Sequence, residues 1–349
     1  HSNGLSRRKK FQDFYTLPEY FSSDWLNEFS DFRMDCDDDF RFVYIGPKHT
    51  WTPLHSDVYC SYSWSANIVG KKRWWLLPPG EEKKLKGFSC GSPLPDLRDQ
   101  TLASPGEKHS DLPRCYVFDQ QPGEISFVPS GWYHQVVNMA TQKHALRVSC
   151  NAVKCTDCVS INNNWLNACN IGLVWQHLQS QLKEVKRSCA DVQSTPGWDE
   201  ACQECLKAWE GWDFAEFFLL LKYIIISRWL FLTPEEVRQR LPRTTVSTSP
   251  DTKITFSQLE TQVDTLFSET AEADKALLDW LIAESWSDDV WKRCLISGDS
   301  VQGVRQHDLI EAARTMKSML GNEDVRRLSL HTRGPAAWIW KDWPVFTQS

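Results

Sequence analysis

The chain has 349 residues, a formal net charge of −6, 41% hydrophobic residues and 24% charged ones. That is the balance of a soluble globular protein with enough chain for one or two domains. The acidic balance argues against nucleic acid as the main partner, because phosphate binding needs a basic face. The basic cluster near the start, Arg7-Arg8-Lys9-Lys10, reads as a solvated tail, with a nuclear signal as the alternative. The twelve cysteines form no compact disulfide pattern and are expected to be reduced cytosolic thiols. The chain opens at His1 rather than Met and is read as a fragment, a processed form or an incomplete gene product. No signal peptide is visible.

In chain order, residues 15–33 predict a helix, with Trp25, Leu26 and Phe29 at helical spacing. The texture then changes to short strands. Phe40 to Ile45 alternates and stops at Gly46-Pro47, residues 57–69 read as strand, and residues 73–77 form another before Pro78-Pro79-Gly80. Residues 81–113 are rich in Pro, Gly, Ser and charge and predict a surface excursion. Residues 116–118, 124–128 and 132–137 are strands, the last two separated by the turn Pro129-Ser130-Gly131. So many short strands predict an all-β barrel or sandwich.

From about Trp165 the pattern turns helical. Leu166, Leu173, Leu178, Leu182 and Val185 suit one helix. Residues 214–232 form the longest apolar stretch, but Glu216, Lys222 and Arg228 within it favour a buried helix over a membrane span, so no membrane partner is expected. Residues 244–252 read as a Ser/Thr/Pro linker, and 259–267 and 276–282 as further helices. The predicted organisation is an N-terminal helical segment over 1–39, a β core over 40–165, a helical region over 166–243, and a linker with a C-terminal helical region over 244–349. The C-terminal helices could serve a homodimer or substrate docking.

The chemistry centres on Trp51-Thr52-Pro53-Leu54-His55-Ser56-Asp57. A His and an Asp two apart on a strand project to one face and can offer an imidazole and a carboxylate to a single ion. An isolated His-x-Asp occurs often by chance, so the context decides. His134, at the start of a return strand after a tight turn, is the best third ligand. Two His and one carboxylate on one face leave positions open, the arrangement of non-haem Fe(II) oxygenases. Lys72 follows a strand and Gly70; an ammonium there suits the far carboxylate of 2-oxoglutarate, and the rival reading is an exposed basic strand end. Trp51, Trp64 and Trp132 could wall a pocket, although packing explains each of them as well. Cys155-x-x-Cys158 and Cys202-x-x-Cys205 lie too far apart for one compact zinc module. His49, His109 and His144 lack the strand context of His134.

His55-x-Asp57, the Gly70 to Trp74 strand and the segment from Gly123 to His134 together resemble a Jumonji-C (JmjC) oxygenase. Residues 20–29 and Ser63-Trp64-Ser65-Ala66-Asn67 resemble, within that family, a subgroup whose members hydroxylate a lysine of the eukaryotic translation release factor. The resemblance covers roughly residues 15–235. It implies a double-stranded β-helix, the cupin- or jelly-roll-like JmjC barrel, followed by a helical C-terminal region. It implies Fe(II), 2-oxoglutarate and O₂ as cofactor and cosubstrates, with His55, Asp57 and His134 as iron ligands. Lys72, Thr52 and Asn162 match positions that hold 2-oxoglutarate. The implied activity is a cytoplasmic protein lysyl hydroxylase acting in translation termination. A histone lysine demethylase and a barrel kept as an interaction module are the alternatives. The sequence departs from the family pattern twice. Only a short stretch precedes His55, which implies that early barrel elements and a tyrosine contacting 2-oxoglutarate are missing. Residues 140–159 resemble an insertion, within which 146–151 could compete for the place of the Ser160-Ile161-Asn162 strand.

Overall fold

The computed structural model describes residues 15–32, 40–88, 94–104, 106, 111–139, 157–231 and 300–328. Several expectations lie outside the described residues: the Arg7–Lys10 run, His109, His144, Cys155, most of the 140–159 segment, and the linker and helices expected between 244 and 299. The chain divides into two compact units, one spanning Asp39–Trp165 and the other comprising His1–Asp38 with Leu166–Ser349.

The first unit is built from eight strands: β1 (Arg41–Pro47), β2 (Trp51–His55), β3 (Tyr62–Val69), β4 (Lys71–Leu77), β5 (Tyr116–Gln120), β6 (Ile125–Val128), β7 (Tyr133–Met139) and β8 (Asp157–Trp165). They form two four-stranded sheets in the orders β1-β8-β3-β6 and β2-β7-β4-β5, with every ladder antiparallel. Eight strands in two interleaved sheets are the double-sheet jelly roll. All eight strands of this core fall between residues 41 and 165. The Ser-Ile-Asn residues 160–162 lie inside β8 and pair with both β1 and β3, while residues 146–151 lie outside the described residues.

Gly70 joins the two sheets between β3 and β4. Its φ is +85, and a Cβ there would come within 2.9 Å of the Asp157 carbonyl and the Cys158 Cα. Glycine is therefore required on both conformational and steric grounds.

The strands correct three readings. Residues 57–69 are not one strand: residues 58–60 form a 3₁₀ turn in which Tyr59 and Cys60 have φ of 57 and 55. Asp57 consequently lies two residues beyond the end of β2 rather than on a strand. The 81–113 segment is not merely a surface excursion, for it buries Leu85 and Leu97 in one apolar cluster with Leu54, Leu77 and Cys115. Its apolar residues are too irregularly spaced to announce an element, yet together they cover one face of the second sheet.

In the second unit, the N-terminal stretch predicted as a single helix is a short 3₁₀ turn at Glu19–Phe21 followed by α1 (Trp25–Phe32). Asp24 starts α1 by accepting from the Asn27 backbone N–H at 3.0 Å. Then come α2 (Ile171–Ser188), α3 (Trp198–Glu210), α4 (Phe214–Phe231), α5 (Ser300–Leu320) and α6 (Glu323–Arg327). The buried stripe of α2 is Ile171, Val174, Trp175, Leu178, Leu182 and Val185, a helical period of one face. Leu173 lies outside that stripe and is exposed, while Leu166 is buried but precedes the helix. Cys202 is buried on α3. No helix among the described residues is long and apolar enough to cross a membrane.

Inside α4 the charge that argued against a membrane span has a structural use. Arg228 is buried and ion-paired to Glu28 at 2.7 Å and to Asp308 at 2.8 Å, tying α1, α4 and α5 together. Arg228→Met leaves the buried Asp308 without its cation, and breaking such a pair from one side costs about 3–5 kcal/mol. The urea unfolding midpoint of this variant is expected to fall accordingly. An unchanged midpoint would show that the triad carries no net stability.

Candidate active site

The site begins with strand register. In the pairing of β2 with β7, His55 stands directly opposite His134, so both rings project from the same face, with centroids 4.2 Å apart. The register shifts between Thr52 and His55, since Thr52 pairs with Val136 while His55 pairs with His134. On a regular strand residues three apart face opposite sides; the bulge turns both Thr52 and His55 into the same cavity. Asp57 continues in extended conformation past the end of β2, with φ −66 and ψ 148, which returns its carboxylate to the face of His55.

The result is a cluster in which ligand atoms of His55, Asp57 and His134 all lie within 4.8 Å of one another. The ring nitrogens are already assigned. Nδ1 of His55 lies 2.8 Å from the Pro53 carbonyl and Nδ1 of His134 lies 3.3 Å from the Trp132 carbonyl. Each Nδ1–H donates to its carbonyl, which leaves the Nε2 lone pair free for a metal. Burial pushes the His134 imidazole well below its usual range and is opposed by the Asp57 charge; a neutral ring is the form that binds metal. The Asp57 carboxylate accepts from Ser63 Oγ at 2.6 Å and from Asn164 Nδ2 at 3.1 Å. Trp74 stacks on His134 at 6.0 Å and 23°, and its own N–H donates to Gln120 Oε1 at 2.9 Å.

These ligands line a cavity of about 180 Å³ together with Tyr44, Thr52, Lys72, Trp74, Asn138 and Asn162. Lys72 is buried and donates to Ser160 Oγ at 2.5 Å. No carboxylate pairs with it among the described residues, and burial lowers its pKa to about 8. Asn162 accepts from Ser65 Oγ at 3.0 Å and from Ser160 Oγ at 2.9 Å. The Tyr44 hydroxyl is held in its neutral form by burial and by the charge of Asp57.

All six residues singled out for iron and 2-oxoglutarate therefore reach one cavity. Of the three candidate tryptophans, Trp51 lines it, Trp132 packs against the cluster of Trp74, Leu76, Val128 and Val136, and Trp64 points from β3 to the face opposite Ser63 and Ser65. Sequence reasoning missed Trp74, Ser63, Asn164, Ser160 and Tyr44. The alternation Lys72-x-Trp74 along β4 carried the signal for Trp74. The other four are polar or aromatic strand residues that no short-range pattern separates from solvent-facing ones.

Comparison with known proteins accords with this geometry. The family described as "JmjC domain, hydroxylase" matches residues 42–143. The chicken (Gallus gallus) protein named 2-oxoglutarate and iron-dependent oxygenase JMJD4 is 40% identical over 284 residues, 79% of this chain and 62% of that protein. The Homo sapiens protein of the same name is 40% identical over 233 residues, 65% of this chain and 51% of that one. The Arabidopsis thaliana protein named arginine-specific demethylase JMJ20 is 36% identical over 242 residues, covering 64% and 48%. The chain thus spans about half to three-fifths of the length of these relatives. The stretch that matches the family, residues 42–143, contains all of the cavity-lining residues except those contributed by β8.

Proposed function

We propose that this chain is an Fe(II)- and 2-oxoglutarate-dependent protein hydroxylase that modifies a lysine side chain of the eukaryotic translation release factor, and so acts in translation termination in the cytoplasm. One observation carries the oxygenase reading: a cluster of two His and one Asp shares its cavity with a buried ammonium that lacks a carboxylate partner among the described residues. The donor set and its tautomers fit Fe(II), and Lys72 fits the far carboxylate of a 2-oxo diacid. The names of the JMJD4 relatives support the same chemistry. The release-factor lysine is supported by the subgroup resemblance of residues 20–29 and 63–67.

Within this reading each side chain has a task. His55 and His134, fixed through Nδ1, present Nε2 to the iron, and Asp57, fixed by Ser63 and Asn164, presents its carboxylate. Lys72 binds the cosubstrate by its far end, with Thr52 and Asn162 beside it. Trp74 packs on His134 and keeps water from that side. The iron, with 2-oxoglutarate and O₂, supplies the oxidation of a C–H bond, coupled to formation of succinate and CO₂.

The Arabidopsis relative's name favours a second reading, removal of an N-methyl group by the same iron chemistry. One experiment separates the two. Purified protein is incubated with Fe(II), 2-oxoglutarate, O₂ and the release factor's N-terminal domain, beside His55→Ala. Succinate that depends on the domain, with one added oxygen atom on one lysine and neither in the variant, is the expected result. Formaldehyde from methylated peptides without that mass gain would replace hydroxylation by demethylation. No metal bound at all would overturn both.

A further inference from the structure

Away from the active site, the helical unit brings three thiols together. Trp198, Cys202 and Cys205 recur at i, i+4 and i+7 and so share one face of α3. That face meets the end of α2. The Trp198 indole N–H donates to the Cys189 carbonyl at 3.3 Å. Lys186 Nζ stands 5.0 Å from the centre of the Trp198 ring and pairs with Asp199 at 3.2 Å. Pinned in this way, Cys189 lies just past α2 with its thiol hydrogen-bonded to that of Cys205. Cys189 and Cys205 are half-buried, and Cys202 is buried.

Such thiols could hold a metal or form a disulfide, and the geometry separates the two. Among the described residues, His55, Asp57 and His134 are the one group of three or more metal-ligating side chains whose ligand atoms gather within 4.8 Å. The three sulfurs are therefore not arranged as a metal site. Nor is Cys202-x-x-Cys205 the pair to join. Cβ atoms three apart on a helix are about 5–6 Å apart, beyond the roughly 3.5–4.5 Å that a disulfide spans. Cys202 is also closed to a dissolved oxidant, at 1% exposure.

We propose that Cys189 and Cys205 form an oxidation site at which a hydroperoxide makes a disulfide joining the end of α2 to the middle of α3. The inference is independent of the hydroxylase reading. Partial burial and the neighbouring Cys205 push the Cys189 thiol above its usual range, so Cys189 is the protonated donor of the pair and Cys205 the attacking sulfur. The Cys205 thiolate attacks one peroxide oxygen and the O–O bond breaks. Cys205 becomes a sulfenic acid, and the leaving oxygen takes up a proton as water. The Cys189 sulfur then displaces the sulfenic oxygen. The S–S bond forms, the S–O bond breaks, and the Cys189 proton leaves with that oxygen as a second water. Two thiols lose two electrons, and hydrogen peroxide accepts them. A small-molecule dithiol reverses the change by thiol–disulfide exchange.

The test uses the full chain, reduced, freed of reductant under nitrogen and exposed to a small excess of hydrogen peroxide. Remaining thiols are then alkylated and the protein is digested for mass spectrometry. Trypsin leaves all three cysteines in one peptide, since no Lys or Arg stands between Arg187 and Lys207, and a glutamyl protease then cuts after Glu200 and Glu204. The fragments 188–200 and 205–207 are expected to stay joined until dithiothreitol is added, while fragment 201–204 carries alkylated Cys202. Cys202→Ser is expected to keep the bridge. Cys189→Ser should let Cys205 run on to sulfinic acid, and Cys205→Ser should leave Cys189 an unreacted thiol. The wild-type result decides the site even where a variant fails to fold. A bridge that includes Cys202, sulfinic acid in the wild type without a bridge, or an oxidised Cys189 in Cys205→Ser would each overturn the proposal. So would an equal yield of the bridge in urea, because nearness along the chain rather than the fold would then be making it.

Discussion

Asp57→Ala is expected to abolish succinate production and to weaken Fe(II) or Mn(II) binding far more than any neighbouring substitution. Asp57 is the one anion in the cluster, and its loss leaves two imidazoles that face each other across 4.2 Å with nothing to balance a dication. Both carboxylate oxygens are held, by Ser63 at 2.6 Å and Asn164 at 3.1 Å, so the ligand is positioned before the metal arrives. This gives a graded series. Ser63→Ala and Asn164→Ala each remove one partner of a metal ligand, which typically costs about 10–100-fold in affinity or activity. Asp57→Ala should lie beyond either. Mn(II) titration followed by EPR, alongside succinate assays, measures the series. If Asp57→Ala binds metal as tightly as Ser63→Ala, the carboxylate is not a ligand and the assignment of the cluster fails.

That series also shows what the sequence could and could not disclose. His55 and Asp57 were legible because a spacing of two survives the end of β2, the backbone at Asp57 staying extended although the strand has stopped. His134 was legible from its turn and return strand. Ser63 and Asn164 were not, because their role exists only through the pairing of β3 with β8, which brings together residues about a hundred positions apart. Thr52 shows the limit from the other side. Three residues before His55 it should face away, and only the bulge in β2 reverses that. The helical unit was read in outline from apolar periodicity, yet Leu173, one of the residues that suited this helix, is exposed, and Val174 is on the buried stripe of α2. In the 81–113 segment the composition is that of a loop, and burial of Leu85 and Leu97 follows from what the second sheet needs covered rather than from any local pattern.

Lys72→Met is expected to raise the dissociation constant for 2-oxoglutarate about 100-fold while leaving the metal cluster able to bind Mn(II). A charge-assisted hydrogen bond in a buried site contributes about 1.5–3 kcal/mol, and tenfold in affinity corresponds to about 1.4 kcal/mol. The wild-type residue also predicts a pH dependence. Burial lowers the Lys72 pKa to about 8, so the empty cavity holds an ammonium below that pH and an amine above it. A dianionic cosubstrate requires the ammonium. Binding above pH 8 must therefore take up a proton, and affinity should fall about tenfold per pH unit there and stay flat below. Stability of the empty protein runs the other way. A lysine whose folded pKa lies below its unfolded value destabilises the fold while it is charged, and that cost fades as pH rises from about 8 toward the ordinary lysine range. Calorimetric titration with 2-oxoglutarate at pH 7, 8 and 9, in buffers of different ionisation enthalpy, reads both the slope and the proton uptake. Lys72→Met should show neither. If the wild type binds equally well at pH 7 and 9 without proton uptake, the cosubstrate carboxylate is not held by Lys72.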